Sequence, residues 1–467
     1  MRQNIILNTD SYKTSHYMQY PPGTDYVSSY IEARVGDGSG HQGVVFFGLQ
    51  MFIEQFLMEP ITRRDIRLAK EIIEASGLPF HEEGWNYILD TYNGYLPLSI
   101  EALPEGSVVP RGTPLVQVVN TDPNCHWLTS YLETALLRAV WYPTTVATLS
   151  RSCKRMIYDF LLRTSDEPDA QIPFKLQDFG ARGVSSFESA GIGGAAHLVN
   201  FMGTDTLTGT LYAKTYYGEP CAGYSVPASE HSTMTSWGVD GEAAAYRNML
   251  EAFPTGIVSV VSDSYDYRNA VDVIWGEELR EEVLARDGVT VIRPDSGDPE
   301  TEVMFTLDSL WRTFGASENK QGFKVLHPKV RIIQGDGVDE AAIGRILTRM
   351  ESEGWAADNI VFGMGGGLLQ KVNRDTLRFA MKASAIHDAS GWRSIGKMPK
   401  TDPTKGSKKG FQTVAYDALN DEWEVISSPE PQETHGLLQP VYTMKEGMVE
   451  PHATLWAFAD VRRRAAL

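Results

Sequence analysis

A set of charged side chains recurs in one position, just after a short apolar run. The runs are FKLQDFGARG (174–183), HLVNFMGTD (197–205), AGYSVPASEH (222–231), IVSVVSDSYD (257–266), VTVIRPDSGD (289–298), VRIIQGDGVD (330–339) and NIVFGMGGG (359–367). Behind them stand Asp178, Arg182, Asp205, His231, Asp263, Arg293, Asp295 and Asp336. These residue types suit phosphate chemistry. Glycines between a strand end and a helix start let backbone N–H groups approach a phosphate, and the helix N-terminus adds partial positive charge. GMGGGLLQK (363–371), with Gly365 and Gly366, is one such cradle, and QGDGVD (334–339), with Gly335 and Asp336, is a second. Arg182, Arg293, Arg374, Lys382, Lys405 and Lys408 supply full positive charge. Asp263, Asp295 and Asp336 are candidates to hold Mg²⁺ directly or through its waters, since that ion favours carboxylates together with substrate phosphates. The whole set suits a substrate with both a monophosphate and a pyrophosphate. For any single loop, helix caps and turns are the better explanation of Asp and Gly. The repetition of Arg, Asp and His over so many loops favours a site.

The elements that must position these residues follow from the same runs. β-Branched runs separated by helical stretches such as GEAAAYRNMLEAF (241–253) and DEAAIGRILTRMESEG (339–354) argue for parallel βα units. An eighth candidate strand, RFAMKASAI (378–386), follows the glycine loop. Seven or eight units predict a closed or nearly closed βα barrel whose sites gather at one end, with an open doubly wound sheet as the alternative. The short strands of YLPLSIEALPEGSVVPRGTPLVQVVN (95–120) and FQTVAYDALNDEWEVI (411–426) predict a β-rich second domain. The expected division is an arm, 1–37, joined to the barrel domain and a partner's site; a β-rich domain from 38–120 with 385–467; and a helical segment plus catalytic barrel over 121–384. Two helices, 126–141 and 144–163, are expected to break at Tyr142-Pro143. The Lys- and Gly-rich stretch 396–410 suits either a phosphate-closing lid or a solvated loop.

Composition excludes several classes. With 467 residues, 42% hydrophobic and 22% charged, the chain is an ordinary globular one. A net charge of −18 argues against a general nucleic-acid or membrane binder, so positive charge must be focused locally. No apolar run reaches the ~18 residues of a membrane span. Cys125, Cys153 and Cys221 are too few and too scattered for a disulfide framework or zinc motif, so a reducing cytoplasm is expected. GWRSIGKM (391–398) has Walker-like spacing, but Met398 stands where the magnesium-binding hydroxyl belongs, and GIGGAA (191–196) does not follow a strand-like run.

Long ordered stretches carry a resemblance. They are NTDSYKTSHYMQYPPGT (8–24), DFGARGVSSFESAGIGGAAHLVNFMGTDT (178–206), GYSVPASEHSTMTSWG (223–238), VSVVSDSYD (258–266), VIRPDSGDP (291–299), IQGDGVD (333–339), FGMGGGLLQKVNRDT (362–376) and DPTKGSKKG (402–410). In them the chain resembles the nicotinamide phosphoribosyltransferases, dimeric type II phosphoribosyltransferases. The resemblance implies an α/β fold: a type II phosphoribosyltransferase-like irregular βα barrel with a second β-rich α+β domain. It implies transfer of 5-phosphoribosyl from phosphoribosyl pyrophosphate to nicotinamide, with Mg²⁺ as cofactor and ATP as co-substrate, in NAD salvage. Phe179 should stack on one face of the base, and Tyr12 of a second copy of the chain on the other. Asp205 should accept from the carboxamide, with Arg293 nearby. Arg182, His231, Asp263, Asp295, Gly335, Asp336, Gly365 and Gly366 should line the ribose and phosphate sites, with Asp10 and Lys405 also in the substrate-binding set. Arg34, Arg374 and Lys382 should reach phosphates across the dimer. His231 should be the residue that ATP phosphorylates, and Asp263 and Asp295 the metal carboxylates. Ala181 and Ala380 depart from the family's usual residues, tyrosine and serine. The nearest competing reading is a nicotinate phosphoribosyltransferase, disfavoured because a carboxylate at 205 repels nicotinate. A binding protein without catalysis is disfavoured by the retained Arg, Asp and His set.

Overall fold

The computed structural model describes residues 3–36, 40–401, 406–420, 422–432, 436–445, 448–449 and 456–466. The chain forms two compact units, one of residues 149–214 and 220–372, the other of residues 1–148, 215–219 and 373–466.

The first unit is a parallel sheet curled toward a barrel. Its strands are β1 (Leu176–Asp178), β2 (Gly203–Thr204), β3 (Thr255–Val261), β4 (Asp287–Arg293), β5 (Val330–Gln334) and β6 (Ile360–Met364), in the order β2-β1-β6-β5-β4-β3. Every pairing is parallel. The segment Tyr224–Ser229 joins the two edges. Thr204 N donates to Tyr224 O at 2.9 Å on the β2 side, and Ser259 N donates to Pro227 O at 2.9 Å on the β3 side. Pro227 has no N–H, so this segment makes isolated bridges rather than a full ladder. The seven runs seen in the sequence thus stand round the unit in chain order. Their inner residues, such as Val258, Val260, Ile292, Ile332 and Phe362, are buried. At the start of β1, buried Lys175 donates to the carbonyls of Ala357 (2.9 Å), Asp358 (3.1 Å) and Ile360 (3.0 Å), tying β1 to β6.

The second unit is built on a seven-stranded antiparallel sheet. In order, its strands are Gly391–Ser394, Phe379–Asp388, Tyr26–Ala33, Pro114–Asn120, Leu98–Ala102, Gln439–Lys445 and Met448–Val449. Three expectations are corrected here. The eighth run is not a barrel strand: Phe379–Asp388 turns back at once into Gly391–Ser394, and a tight hairpin joins only antiparallel neighbours. The 1–37 arm does not join the barrel, because Tyr26–Ala33 pairs on both sides within this sheet. The boundaries therefore fall near 148 and 372, not at 120 and 384.

The helix break at Tyr142-Pro143 is also absent: Glu133–Thr164 is one helix of 32 residues with Pro143 inside it. A Cβ at Gly48 would lie 2.3 Å from the Pro143 ring, so a glycine there gives the ring its room. In the residues that follow Pro143, the hydroxyls of Thr144 and Thr148 accept from the amides of Phe47 (3.2 Å) and Val45 (3.0 Å), fixing the neighbouring segment against the kink-prone turn. Among the described residues no helix is long and apolar enough to cross a membrane.

Candidate functional site

β1 delivers Phe179 at its C-terminal end, with the Phe179 amide bonded to Met364 O at 3.0 Å. Two glycines make space for its ring. A Cβ at Gly363 would lie 2.1 Å from Cε2 of Phe179, and one at Gly335 would lie 3.1 Å from it. The first glycine of the cluster that suggested a phosphate cradle is therefore occupied by an aromatic ring.

From Phe179 the site passes into charge. The Arg293 guanidinium, at the end of β4, lies 5.3 Å from the Phe179 ring centroid, within cation–π range. Its Nε and a terminal nitrogen both donate to Asp295 Oδ1, at 3.0 and 2.6 Å. Asp295 Oδ2 is 3.9 Å from His231 Nδ1, and His231 Nε2 is 2.9 Å from Asp263 Oδ1. His231 opens the short helix His231–Thr235 and is 47% exposed, whereas the Asp263 side chain is 5% exposed. Behind Asp263, Trp275 Nε1 donates to Ser262 Oγ at 3.0 Å, and Trp275 stacks on Tyr246 at 4.7 Å, so the strand end is braced by buried aromatics.

Asp205 follows β2, its amide bonded to Asp178 O at 2.9 Å. Its exposed carboxylate accepts from Ser225 Oγ at 2.5 Å. The sequence did not single out Ser225, since a serine in a loop signals nothing until the closing segment sets it opposite Asp205. Arg182 is exposed in the turn Ala181–Gly183, and a Cβ at Gly183 would lie 3.3 Å from Gly366, so this turn packs on the glycine loop. Gly365 caps the short helix Gly366–Leu369, and no atom lies within 4 Å of a Cβ built on Gly366. Asp336 is exposed after β5, its carbonyl accepting from Gln334 Nε2 at 2.8 Å.

The remaining predicted residues belong to the antiparallel unit. Asp10 accepts from Thr134 Oγ1 at 2.6 Å, and Tyr12 is 58% exposed. Lys382 shares a field with Arg34, Arg374 and Lys397. Burial lowers its ammonium pKa first, Glu133 opposes that, and the three cations lower it further. Lys408 is paired with Glu32, and its amide donates to Tyr30 Oη at 2.7 Å, so its charge is already matched within the chain. Lys405 lies outside the described residues. Ala181 is exposed, and Ala380 is buried opposite Glu32.

Among the described residues no cluster of three or more His, Cys, Asp or Glu is placed to hold a metal by itself. Asp263 and Asp295 flank His231, and each has one oxygen free of a hydrogen bond to it or to Arg293. Two carboxylates of this kind fit Mg²⁺, which keeps several waters and takes further oxygens from substrate phosphates.

Comparisons with known proteins give the family of the chain. The model of the nicotinate phosphoribosyltransferase family matches residues 174–430, and that of the nicotinamide phosphoribosyltransferase N-terminal domain matches residues 4–100. The chain is 52% identical over 422 residues to the nicotinamide phosphoribosyltransferase of Xanthomonas campestris pv. campestris, covering 90% of this chain and 89% of that one. It is 34% identical over 450 residues to the nicotinamide phosphoribosyltransferase of Acinetobacter baylyi, covering 88% and 87%. In fold it is similar to the nicotinate-nucleotide pyrophosphorylase of Pyrococcus furiosus (TM-score 0.60, 16% identity, 99% of this chain and 95% of that one). Human nicotinic acid phosphoribosyltransferase is also similar in fold (TM-score 0.55, 18% identity, 98% and 92%).

Proposed function

The chain belongs to the nicotinate phosphoribosyltransferase family, and on that premise we propose that it transfers 5-phosphoribosyl from phosphoribosyl pyrophosphate to nicotinamide. The products are nicotinamide mononucleotide and pyrophosphate, a salvage step toward NAD. The observation that carries the reading is the row Phe179, Arg293, Asp295, His231, Asp263, an aromatic face passing directly into charge at one end of the barrel.

The pyridine nitrogen brings its own lone pair, so no strong general base is needed. Its pair forms the bond to ribose C1 as the C1–O bond breaks and pyrophosphate leaves with that electron pair. Phe179 fixes the plane of the base and so its line of approach. Asp205, held by Ser225, accepts from the carboxamide NH₂ and repels the carboxylate of nicotinate. Arg182 and the Gly365–Gly366 loop receive phosphate oxygens. Asp263 and Asp295 would hold Mg²⁺, and the chemistry it would supply there is neutralisation of the charge on a pyrophosphate leaving group. With the Asp263 carboxylate 2.9 Å from Nε2 of His231, the tautomer that donates from Nε2 leaves Nδ1 as the nitrogen with a lone pair. That nitrogen attacks the γ-phosphorus of ATP as the bond to the β,γ-bridging oxygen breaks and ADP leaves with that electron pair. Water later cleaves the N–P bond and releases phosphate, so that ATP hydrolysis is coupled to synthesis. Tyr12 and the cations Arg34, Arg374 and Lys382 serve the site of a second copy in a two-fold homodimer. A cytoplasmic setting completes the reading.

The test is product stoichiometry. With nicotinamide, phosphoribosyl pyrophosphate and Mg²⁺, the enzyme should release mononucleotide and pyrophosphate in equal amounts. The Phe179→Ala variant should lose most of that activity through KM. Pyrophosphate release without mononucleotide would contradict the reading.

A further inference from the structure

Asp178 closes β1 and lies outside the row just described. Its side chain is wholly buried. One carboxyl oxygen accepts from Gly180 N at 2.7 Å, and the other has no hydrogen-bond partner. Its backbone carbonyl accepts the Asp205 amide at 2.9 Å, and its chain neighbour is Phe179. One residue therefore ties together two walls of the base pocket: Phe179 through the turn it pins, and Asp205 through its carbonyl. The turn is tight. A Cβ at Gly180 would lie 2.6 Å from Leu369 and 3.0 Å from the Asp178 oxygen. A buried carboxyl with an unmatched oxygen is costly, and a site that keeps one without a cation calls for a reason.

We infer that Asp178 is a positioning and specificity-determining residue of the base site. It fixes the turn that carries Phe179, and it sets a second negative charge behind Asp205 that disfavours a base ending in a carboxylate. This deepens the proposed reaction and rests on it. The groups acting on Asp178 are few. They are the Gly180 amide, the Thr206 hydroxyl and, as the charged one, Asp205. Burial first, and then the Asp205 charge, push its carboxyl up to about 6, against the Gly180 hydrogen bond and the influence of the Thr206 hydroxyl. Below that value Asp178 is neutral, and above it the second charge is present. Preference for nicotinamide over nicotinate should therefore grow as pH rises through about 6.

The experiment compares kcat/KM for nicotinamide and for nicotinate across about pH 5 to 8, in the wild type, Asp178→Asn and Asp178→Ala. In the wild type the ratio of the two should climb on the order of tenfold, the size of one like-charge interaction at about 10 Å in an effective dielectric of about 20. In Asp178→Asn, which keeps an oxygen for the Gly180 amide but carries no charge, the climb should vanish and nicotinate should be used better. In Asp178→Ala, which loses that oxygen as well, the nicotinamide KM should rise further than in Asp178→Asn. A purely structural residue would lower both bases' turnover equally and leave the pH profile in place, and that result would overturn the inference. A flat wild-type ratio would overturn it without any variant. If the wild type uses neither base, the proposed reaction falls, and this inference with it. If it uses nicotinamide and Asp178→Asn keeps the wild-type profile, only the inference falls.

Discussion

Gly363 shows at the scale of one residue what a sequence displays and what it conceals. The glycine run displayed an absence of side chains, and phosphate was the natural claimant for the space. The structure gives the space at 363 to the Phe179 ring. Gly363→Ala should displace that ring and raise the nicotinamide KM by about tenfold or more, the penalty of a clash that must be relieved by moving a binding group, with a smaller change in kcat; steady-state kinetics decides it. Asp205→Asn removes the repelling charge while keeping the side chain's shape. Nicotinate should become a better substrate, and nicotinamide's hydrogen bond, now to a neutral amide oxygen in place of a carboxylate, should weaken by about 1 kcal/mol. Unchanged rejection of nicotinate would mean that Asp205 is not the discriminator. His231→Ala should abolish ATP stimulation and the acid-labile phosphoenzyme formed from γ-labelled ATP. Some ATP-independent transfer should survive, because the imidazole does not attack ribose. Undiminished labelling would place the phosphate elsewhere. Arg293 and Asp205 could be singled out because each stands at or just after the end of its strand, whereas Phe179 came from the family resemblance alone. Ser225 was not legible, since its role lies in a contact that only the folded chain creates; Asp178 was marked as one of the strand-end charges, but its burial and its bond to the Gly180 amide were not readable.

At the scale of elements, the seven barrel runs were legible because β-branched runs and polar ends repeat seven times in register with the βα period. The eighth run failed because apolar content alone does not distinguish a parallel strand from an antiparallel one; the hairpin at Asp388–Gly391 does. Pro143 misled for a related reason: its cost is local, and the groups that accommodate it lie about a hundred residues away. Lys175 is the brace between β1 and β6. Lys175→Met keeps the bulk but leaves three buried carbonyls without their donor, at a cost of ~1–3 kcal/mol each at most, so the barrel should melt at a clearly lower temperature. An unchanged Tm would show that the brace is dispensable. In the antiparallel unit, buried Glu105 accepts from Tyr217 Oη at 2.6 Å and Gln50 N at 2.7 Å, yet burial pushes its carboxyl up to about 7. A raised carboxyl binds its proton more tightly folded than unfolded. Its stabilising contribution is therefore present below its ordinary value of 4.5 and lost as pH rises through about 7. Glu105→Gln should flatten the fall in Tm over that window; an identical slope would remove Glu105 as its cause.

For the whole molecule, a net charge of −18 is reconciled with an anionic substrate class by cations gathered locally, Arg34, Arg374 and Lys397 all acting on Lys382 in the antiparallel unit. That unit also carries Tyr12, while Phe179 and Asp205 belong to the barrel unit. If Tyr12 serves a second copy's site, a mixed dimer of Tyr12→Ala and Asp205→Ala chains holds one site with both defects and one with neither. Random reassociation of two nearly inactive homodimers should recover about a quarter of wild-type activity. No recovery, with chain exchange confirmed, would end the shared-site account and leave the reaction untouched. The reaction itself meets its most direct test in base selection by the wild-type enzyme. With phosphoribosyl pyrophosphate saturating, kcat/KM for nicotinamide should exceed that for nicotinate on the order of a hundredfold or more, since a like-charge juxtaposition costs several kcal/mol. Equal or better use of nicotinate, or turnover of neither base, would contradict the account.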